Sequence, residues 1–165
     1  MGPGTLIQQK INWYWKPFAE LTSTQLYQVL QLRQQVFVVE QSCCYADIDD
    51  WDQDAVHLLG SNADGQLLAY IRVFAPNVRF TEASIGRVLT SMTVRGNGLG
   101  HELIRRGVEY CSREFATAPI RIAAQAHLKR FYHSHGFQVV GEEYPVDDIP
   151  HVDLLRTPDD SLGKQ

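Results

Sequence analysis

The sequence predicts an α+β domain with a mixed central sheet, and three observations carry that reading. A glycine-rich turn, Arg95-Gly96-Asn97-Gly98-Leu99-Gly100, joins a strand-like run to a helix-like run. Two alternating runs flank Asn62-Ala63-Asp64-Gly65, whose Asp-Gly is a hairpin signal. From Ser84 to Ala124 the signals run strand, helix, strand, the pattern of a right-handed parallel crossover. Hairpin strands and a parallel crossover in one chain make a mixed sheet flanked by helices.

Residues 1–10 read as a loose tail, 11–156 as one domain and 157–165 as a polar tail. Ile11 to Trp15 alternates apolar and polar positions and reads as a short strand. Thr22 and Gln25 form a capping-box pattern, and the helix that follows carries Leu26, Val29, Leu30, Arg33 and Phe37 on one face. Arg33 breaks that apolar face. It either snorkels to the rim or pairs with a carboxylate, because a buried unpaired charge is costly. Ser42 to Asp54 is an acidic, aromatic-marked loop. Val56 to Ser61 and Gln66 to Phe74 are the hairpin strands, with Leu68, Tyr70 and Arg72 on one face and Leu67, Ala69, Ile71 and Val73 on the other. Ser84 to Thr90 leads as a strand into the glycine turn. The helix from Leu99 to about Arg113 shows Gly100, Leu103, Ile104, Gly107, Val108 and Cys111 as a core-facing stripe, with Gly100 and Gly107 letting it lie close to the sheet. Ile120 to Ala124 is a strand and His127 to His135 a short helix with Gly136 as its C′ residue. Phe137 to Gly141 and Ile149 to Leu155 are the last strands.

A chain of 165 residues suits one domain with a sizeable core. Its apolar runs fall far short of the roughly 20 residues a membrane-spanning helix needs, so no membrane partner is expected. The first residues lack a charged stretch followed by an apolar one, so no secretory signal is expected. Three cysteines, two of them adjacent, point to a reduced cytoplasmic protein. There is no C-x-x-C pair, and His133 and His135 are two apart on a helix, so no metal is expected. His57 and His151 read as structural. The net charge of −4 hides an asymmetry. Glu40 to Asp64 holds seven acids and no Lys or Arg, whereas Arg87 to Arg130 holds eight bases against three acids. The basic half suits an anionic ligand. The acidic half suits a cationic one such as an amine, or is a solvated face. Interrupted bases and a negative total argue against a nucleic-acid binder.

The glycine turn places several amides without intrahelical partners at a helix start, which with the helix dipole is an anion site. It is neither a G-x-x-x-x-G-K-[ST] loop nor a G-x-G-x-x-G fingerprint. Arg95, Gly98 and Gly100 form R-x-x-G-x-G, which resembles the pyrophosphate-binding signature of the GNAT superfamily of N-acetyltransferases. Tyr132, Gly136 and Phe137 form Y-x-x-x-G-F, which resembles a second signature of that superfamily at matching spacing. Arg33, Phe37-Val38-Val39-Glu40-Gln41, Cys43, Asp47-Ile48-Asp49 and Ala124-Gln125-Ala126-His127-Leu128 resemble its ElaA-like subgroup, over roughly Ile11 to Arg156. Cys44 departs from it, standing where that subgroup has proline.

The resemblance implies the GNAT fold, with one parallel strand pair splayed apart, and acetyl-coenzyme A as co-substrate. It implies that the backbone of Val88, Leu89 and Thr90 pairs with the pantetheine arm and polarises the thioester carbonyl. The turn led by Arg95, with the amides of Gly96, Asn97, Gly98, Leu99, Gly100 and His101, is expected to hold the pyrophosphate. Gln125 stands where many members have a cofactor-contacting Asn. Tyr132 is expected to protonate the departing thiolate.

The acceptor is expected to be a primary amine of a small molecule or peptide, drawn to a solvent-exposed acidic loop, with Arg33, Asp47 and Asp49 as substrate contacts. An alkyl amine is mostly charged at neutral pH, so a base must take its proton, with Glu40, His127 and the loop aspartates as candidates. Two rival readings remain at this stage. Arg33, Phe37, Asp47 and Asp50 resemble part of the N-acyl-homoserine-lactone synthase pattern, but Cys43 stands where that family has tryptophan. A non-catalytic coenzyme A-binding module is the other. The acceptor's identity and the oligomeric state, a homodimer included, stay open.

Overall fold

The computed structural model describes residues 9–158. The expected tails, 1–10 and 157–165, lie outside the described residues except for Gln9, Lys10, Thr157 and Pro158. Seven strands form one mixed sheet: β1 (Asn12–Pro17), β2 (Val56–Ser61), β3 (Leu67–Phe74), β4 (Ala83–Thr90), β5 (Ile120–Gln125), β6 (Gln138–Val146) and β7 (Ile149–Arg156). Their order across the sheet is β1-β2-β3-β4-β5-β7-β6. Every pairing is antiparallel except β4 with β5. Among the described residues three α-helices accompany them: α1 (Ser23–Arg33), α2 (Leu99–Glu114) and α3 (Lys129–His133). Among the described residues no helix is long and apolar enough to cross a membrane.

The capping box forms as expected. Thr22 Oγ1 accepts from the Gln25 amide at 3.1 Å, and Gln25 Oε1 accepts from the Thr22 amide at 3.0 Å. Beyond Arg33 the helix continues as a π-helical stretch, Gln34–Glu40. Its wider turn buries Val36 and leaves Phe37 half-buried beside the core. Two clusters fill the core. One joins Val29 and Val36 to Leu59, Leu67, Tyr70 and Leu89. The other joins Leu103, Ile104 and Tyr132 to Ile71, Val73, Ile85 and Ile122. Strict alternation along β3 therefore fails at its start. Gly60 pairs with Ala69 while Ser61 pairs with Leu67, so Leu68 is an extra residue. This bulge moves Leu67 to the side of Tyr70, and Leu68 to the side of Ile71.

α2 sits against the sheet because Gly107 has no side chain. A Cβ there would meet Ile71 Cδ1 at 2.9 Å and Ile85 Cδ1 at 3.0 Å. Gly100 is not required for that approach, since a Cβ there would lie an ordinary 3.7 Å from Phe131. The last hairpin extends further than its sequence suggests. β6 passes through a bulge at Gly141 (φ 74°) and ends at a two-residue turn, Asp147-Asp148, with φ of 47° and 62°. Positive φ at both central residues is the type I′ arrangement that matches strand twist.

Two irregularities of β4 shape everything functional. Against β3, Arg72 pairs with Gly86 but Tyr70 pairs with Leu89, so β4 carries one extra residue, and Arg87 there has φ 52°. Against β5, β4 pairs only at Ala83 with Ile120 and Ser84 with Arg121. From Ile85 onward the two strands part.

Candidate active site

The parting of β4 from β5 opens a cleft of about 250 Å³ lined by Val88, Gln125, His127, Tyr132 and their neighbours. A second cavity of about 330 Å³ adjoins it. Gly86 and Arg87 of β4 and Ala123 of β5 line both, so the two meet across the gap. At the far end of β4 the chain enters the glycine turn. Gly96 and Gly98 hold φ of 87° and 74°, and a Cβ built on either meets nothing within 4 Å. Gly98 is the N-cap of α2. The Glu102 amide makes the first bond, to Gly98 O at 3.2 Å, so the amides ahead of it have no helical acceptor. Open space over left-handed glycines, beside such amides, fits a pyrophosphate. Leu99 is buried and anchors the helix start, while Asn97 and His101 are exposed. His101 Nδ1 lies 2.8 Å from His135 Nε2, which ties α2 to the end of α3.

Tyr132 is buried at the floor of the cleft, and burial pushes its phenol well above the ordinary value. Gln125 Nε2 donates to Gln41 Oε1 at 3.0 Å, bridging the end of β5 to the residue after the π-helical stretch. His127 is exposed and lines the cleft. Glu40 does not line it. Its Oε2 is 2.8 Å from Arg95 Nη2, and the same nitrogen donates to Thr90 O at 3.0 Å. The side chain of Arg95 thus fastens the turn to β4 and to the helix end.

The acidic loop corrects an expectation. Its aspartates do not face solvent as a group: Asp47 is 8% and Asp52 6% exposed, although Asp50 and Asp54 stay outside. Arg33, wholly buried, resolves as the paired alternative, with Nε 2.9 Å from Asp47 Oδ2 and Nη1 2.7 Å from Asp52 Oδ1. Arg72 reaches Asp49 at 2.5 Å and Asp52 at 2.8 Å. Arg87 reaches Asp47 at 2.7 Å and Asp49 at 3.2 Å. Burial raises the Asp49 carboxyl, but the hydrogen bond and charge of Arg72, with Arg87, outweigh it and hold it at about 2. The charge of Asp47, Asp49 and Asp52 is matched by the internal arginines Arg33, Arg72 and Arg87. Arg33, Asp47 and Asp49 stand behind the cavity walls; Arg72 and Arg87 stand on them.

The family model for the acetyltransferase (GNAT) domain matches residues 21–156. The chain belongs to the GNAT acetyltransferase family. It is 42% identical over 148 residues to Protein ElaA of Escherichia coli, covering 88% of this chain and 96% of ElaA. The ElaA crystal structure superposes with a TM-score of 0.83 over 89% of this chain and 99% of that one. An acyl-CoA N-acyltransferase from Pseudomonas aeruginosa, 43% identical, superposes with a TM-score of 0.86 over 90% of this chain and all of that one. A CoA-dependent acyl-homoserine lactone synthase, BjaI, shares the fold at a TM-score of 0.73 but only 18% identity, over 93% of this chain and 85% of that one.

One residue that reads as structural in the sequence stands on the walls of this GNAT domain. His151 lines both cavities. Its Nδ1 is 2.8 Å from Ile149 O, and a carbonyl only accepts, so Nδ1 is the donor, and in the neutral imidazole the lone pair is on Nε2. The signal that finds it is strand register, because His151 pairs directly with Gln125 across β7 and β5. His57, by contrast, is structural. Nε2–H donates to Asp52 O at 2.9 Å and Nδ1 accepts from the Tyr70 hydroxyl at 2.6 Å, wholly inside the protein. Among the described residues no group of three or more His, Cys, Asp or Glu could hold a metal ion, and Cys43, Cys44 and Cys111 are free thiols.

Proposed function

We propose that this domain transfers the acetyl group of acetyl-coenzyme A to a primary amine of a small molecule or peptide, by direct attack of the amine on the thioester. The observation that carries the proposal is the unpaired β5-facing edge of β4, which is joined by a single 3-10 turn, Met92–Val94, to the open glycine turn. Acetyl-coenzyme A supplies the activated acyl group. The amides from Gly96 to His101 bind its pyrophosphate. The freed backbone of Val88, Leu89 and Thr90 aligns the pantetheine arm, and a backbone N–H there offsets charge developing on the thioester oxygen. Gln125 reaches the same arm.

Tyr132 keeps its proton at neutral pH because burial raises its phenol. The same burial raises the proton affinity of a thiolate leaving beside it, so the transfer stays matched. The incoming ammonium must lose a proton first. His151 offers Nε2 at the junction of the cavities and His127 an imidazole on the cleft, either directly or through a water. Glu40 serves the turn through Arg95.

The test is thiol release from acetyl-coenzyme A across a panel of primary amines, with acetylated product read by mass spectrometry. Amine-dependent product supports the proposal. Thiol release without acetylated amine means hydrolysis, dependence on an acyl carrier protein means a synthase-like acyltransferase, and tight coenzyme A binding without turnover means a non-catalytic module.

A further inference from the structure

Four arginines line the second cavity: Arg72, Arg79, Arg87 and Arg121. Three have carboxylate partners. Arg72 pairs with Asp49 and Asp52, Arg87 with Asp47 and Asp49, and Arg121 with Glu82 and Asp153. Among the described residues Arg79 has none. Its guanidinium lies over aromatic rings instead, 5.2 Å from the Trp51 centroid, 5.7 Å from Phe74 and 5.6 Å from Phe80. Stacking of this kind orders a cation without neutralising it. Partial burial, then the like charges of Arg72 and Arg87, push the Arg79 guanidinium below its ordinary value, with only Asp49 opposing them. The rest of the wall is mainly aromatic and apolar, with Phe74, Phe80, Tyr45 and Tyr144, and its polar members are Ser84 and His151.

We infer that the acceptor is an amino carboxylate with an apolar or aromatic body, held in the second cavity with Arg79 as the counter-ion to its carboxylate. This inference rests on the acetyl-transfer reading above and adds the class of acceptor to it. A molecule held there presents its amine at the gap between β4 and β5, where Arg87 and His151 border both cavities. A planar guanidinium takes a carboxylate through two parallel hydrogen bonds, which a carboxamide cannot match in charge. The aromatic walls then select the body that separates amine from carboxylate.

The test uses matched pairs: β-alanine, γ-aminobutyrate and para-(aminomethyl)benzoate, each beside its primary amide. Turnover with acetyl-coenzyme A is measured for wild type, Arg79→Gln and Arg79→Lys. Binding of the three carboxylates is measured separately by titration calorimetry in the presence of coenzyme A. Arg79 is exposed, so neither variant threatens the core. The expected result is a preference of about 10–100-fold for at least one carboxylate over its amide, lost in Arg79→Gln and partly kept in Arg79→Lys, the size expected for one charged hydrogen-bonded contact. Equal treatment of every pair, or a preference that survives Arg79→Gln, overturns the inference while acetyl transfer stands. If no amine is acetylated but a carboxylate binds in an Arg79-dependent way, the transfer reading falls and the anion pocket stands. If none is acetylated and none binds, both fall.

Discussion

Arg87 Nε lies 2.7 Å from Asp47 Oδ1, and this contact fastens the bulge of β4 to the acidic loop. The pair is close but off-axis for a hydrogen bond, so its attraction is mainly charge. Arg87 holds φ 52°, which for a non-glycine residue costs on the order of 1–3 kcal/mol. The ion pairs to Asp47 and Asp49 offset that strain and keep the bulge in place. Asp47→Asn keeps the shape and removes the charge, leaving Arg33 and Arg87 short of a partner. A loss of about 3–5 kcal/mol is expected, read as a lower urea midpoint. A variant as stable as the wild type would show that the network does not hold the bulge.

Gly98 is the left-handed N-cap of α2, and a side chain added there projects into open space. Gly98→Val puts a β-branched residue where φ is 74° and where the pyrophosphate is proposed to lie. Affinity for acetyl-coenzyme A is expected to fall about tenfold or more, a change of roughly 1.4 kcal/mol, by titration calorimetry. Equal affinity with an intact fold places the cofactor elsewhere.

Tyr132→Phe removes one hydroxyl from the floor of the cleft and leaves the ring in the core. If that hydroxyl protonates the thiolate, kcat falls by about 10²–10⁴-fold while coenzyme A affinity hardly changes. Single-turnover rates make the comparison independent of product release. Wild-type chemistry in the variant removes Tyr132 from the mechanism.

His151→Asn and His127→Asn separate the two candidate bases. Loss of His151 is expected to lower kcat by about 10²-fold or more, whereas loss of His127 acts mainly on KM. The reverse pattern assigns the base to His127.

Stability is expected to fall on mild acidification because of His57. Burial first, then the charges of Arg33 and Arg72, hold its pKa below the ordinary value, although Asp52 opposes them. An unfolded chain therefore takes up this proton first once the pH drops below about 6.5, and folding stability declines through that window. At lower pH Asp49 adds to the loss. Its stabilisation is complete above about pH 3.9 and disappears as the pH falls toward its folded value. Urea midpoints at about pH 7.5 and pH 5.5 should differ more in the wild type than in His57→Gln. Identical shifts in both proteins would clear His57 of the effect.

Much of the framework was legible because its signals are local. The capping box at Thr22, the hairpin at Asn62 to Gly65 and the glycine turn each need only a few neighbouring residues. The network around Arg33 was not, because its partners Asp47 and Asp52 lie 14 and 19 residues away and nothing in the spacing names them. The acidic block read as a surface for the same reason: the arginines that neutralise it come from α1, β3 and β4. The turn at Asp147-Asp148 lacks the usual Asn-Gly or Asp-Gly, so β6 was expected to stop at Gly141 and instead reaches Val146. His151 read as structural because no local pattern marks it as a wall residue. Its place follows from strand pairing with Gln125, a long-range fact. Arg79 was equally silent: Phe74 and Phe80 are near it in the chain, but the Trp51 ring comes from the acidic loop 28 residues away.

The two residue pairs that join β4 to β5 leave an open strand edge inside the sheet rather than at its rim. An exposed edge ordinarily recruits strands from other molecules and promotes aggregation. Here β5 is the neighbouring strand, paired with β4 only at Ala83 and Ser84 and unpaired with it beyond. A slender ligand arm is a better match to that slot than a second polypeptide with its side chains. The fold can therefore keep backbone donors and acceptors available for a ligand without offering them as a template for fibre growth.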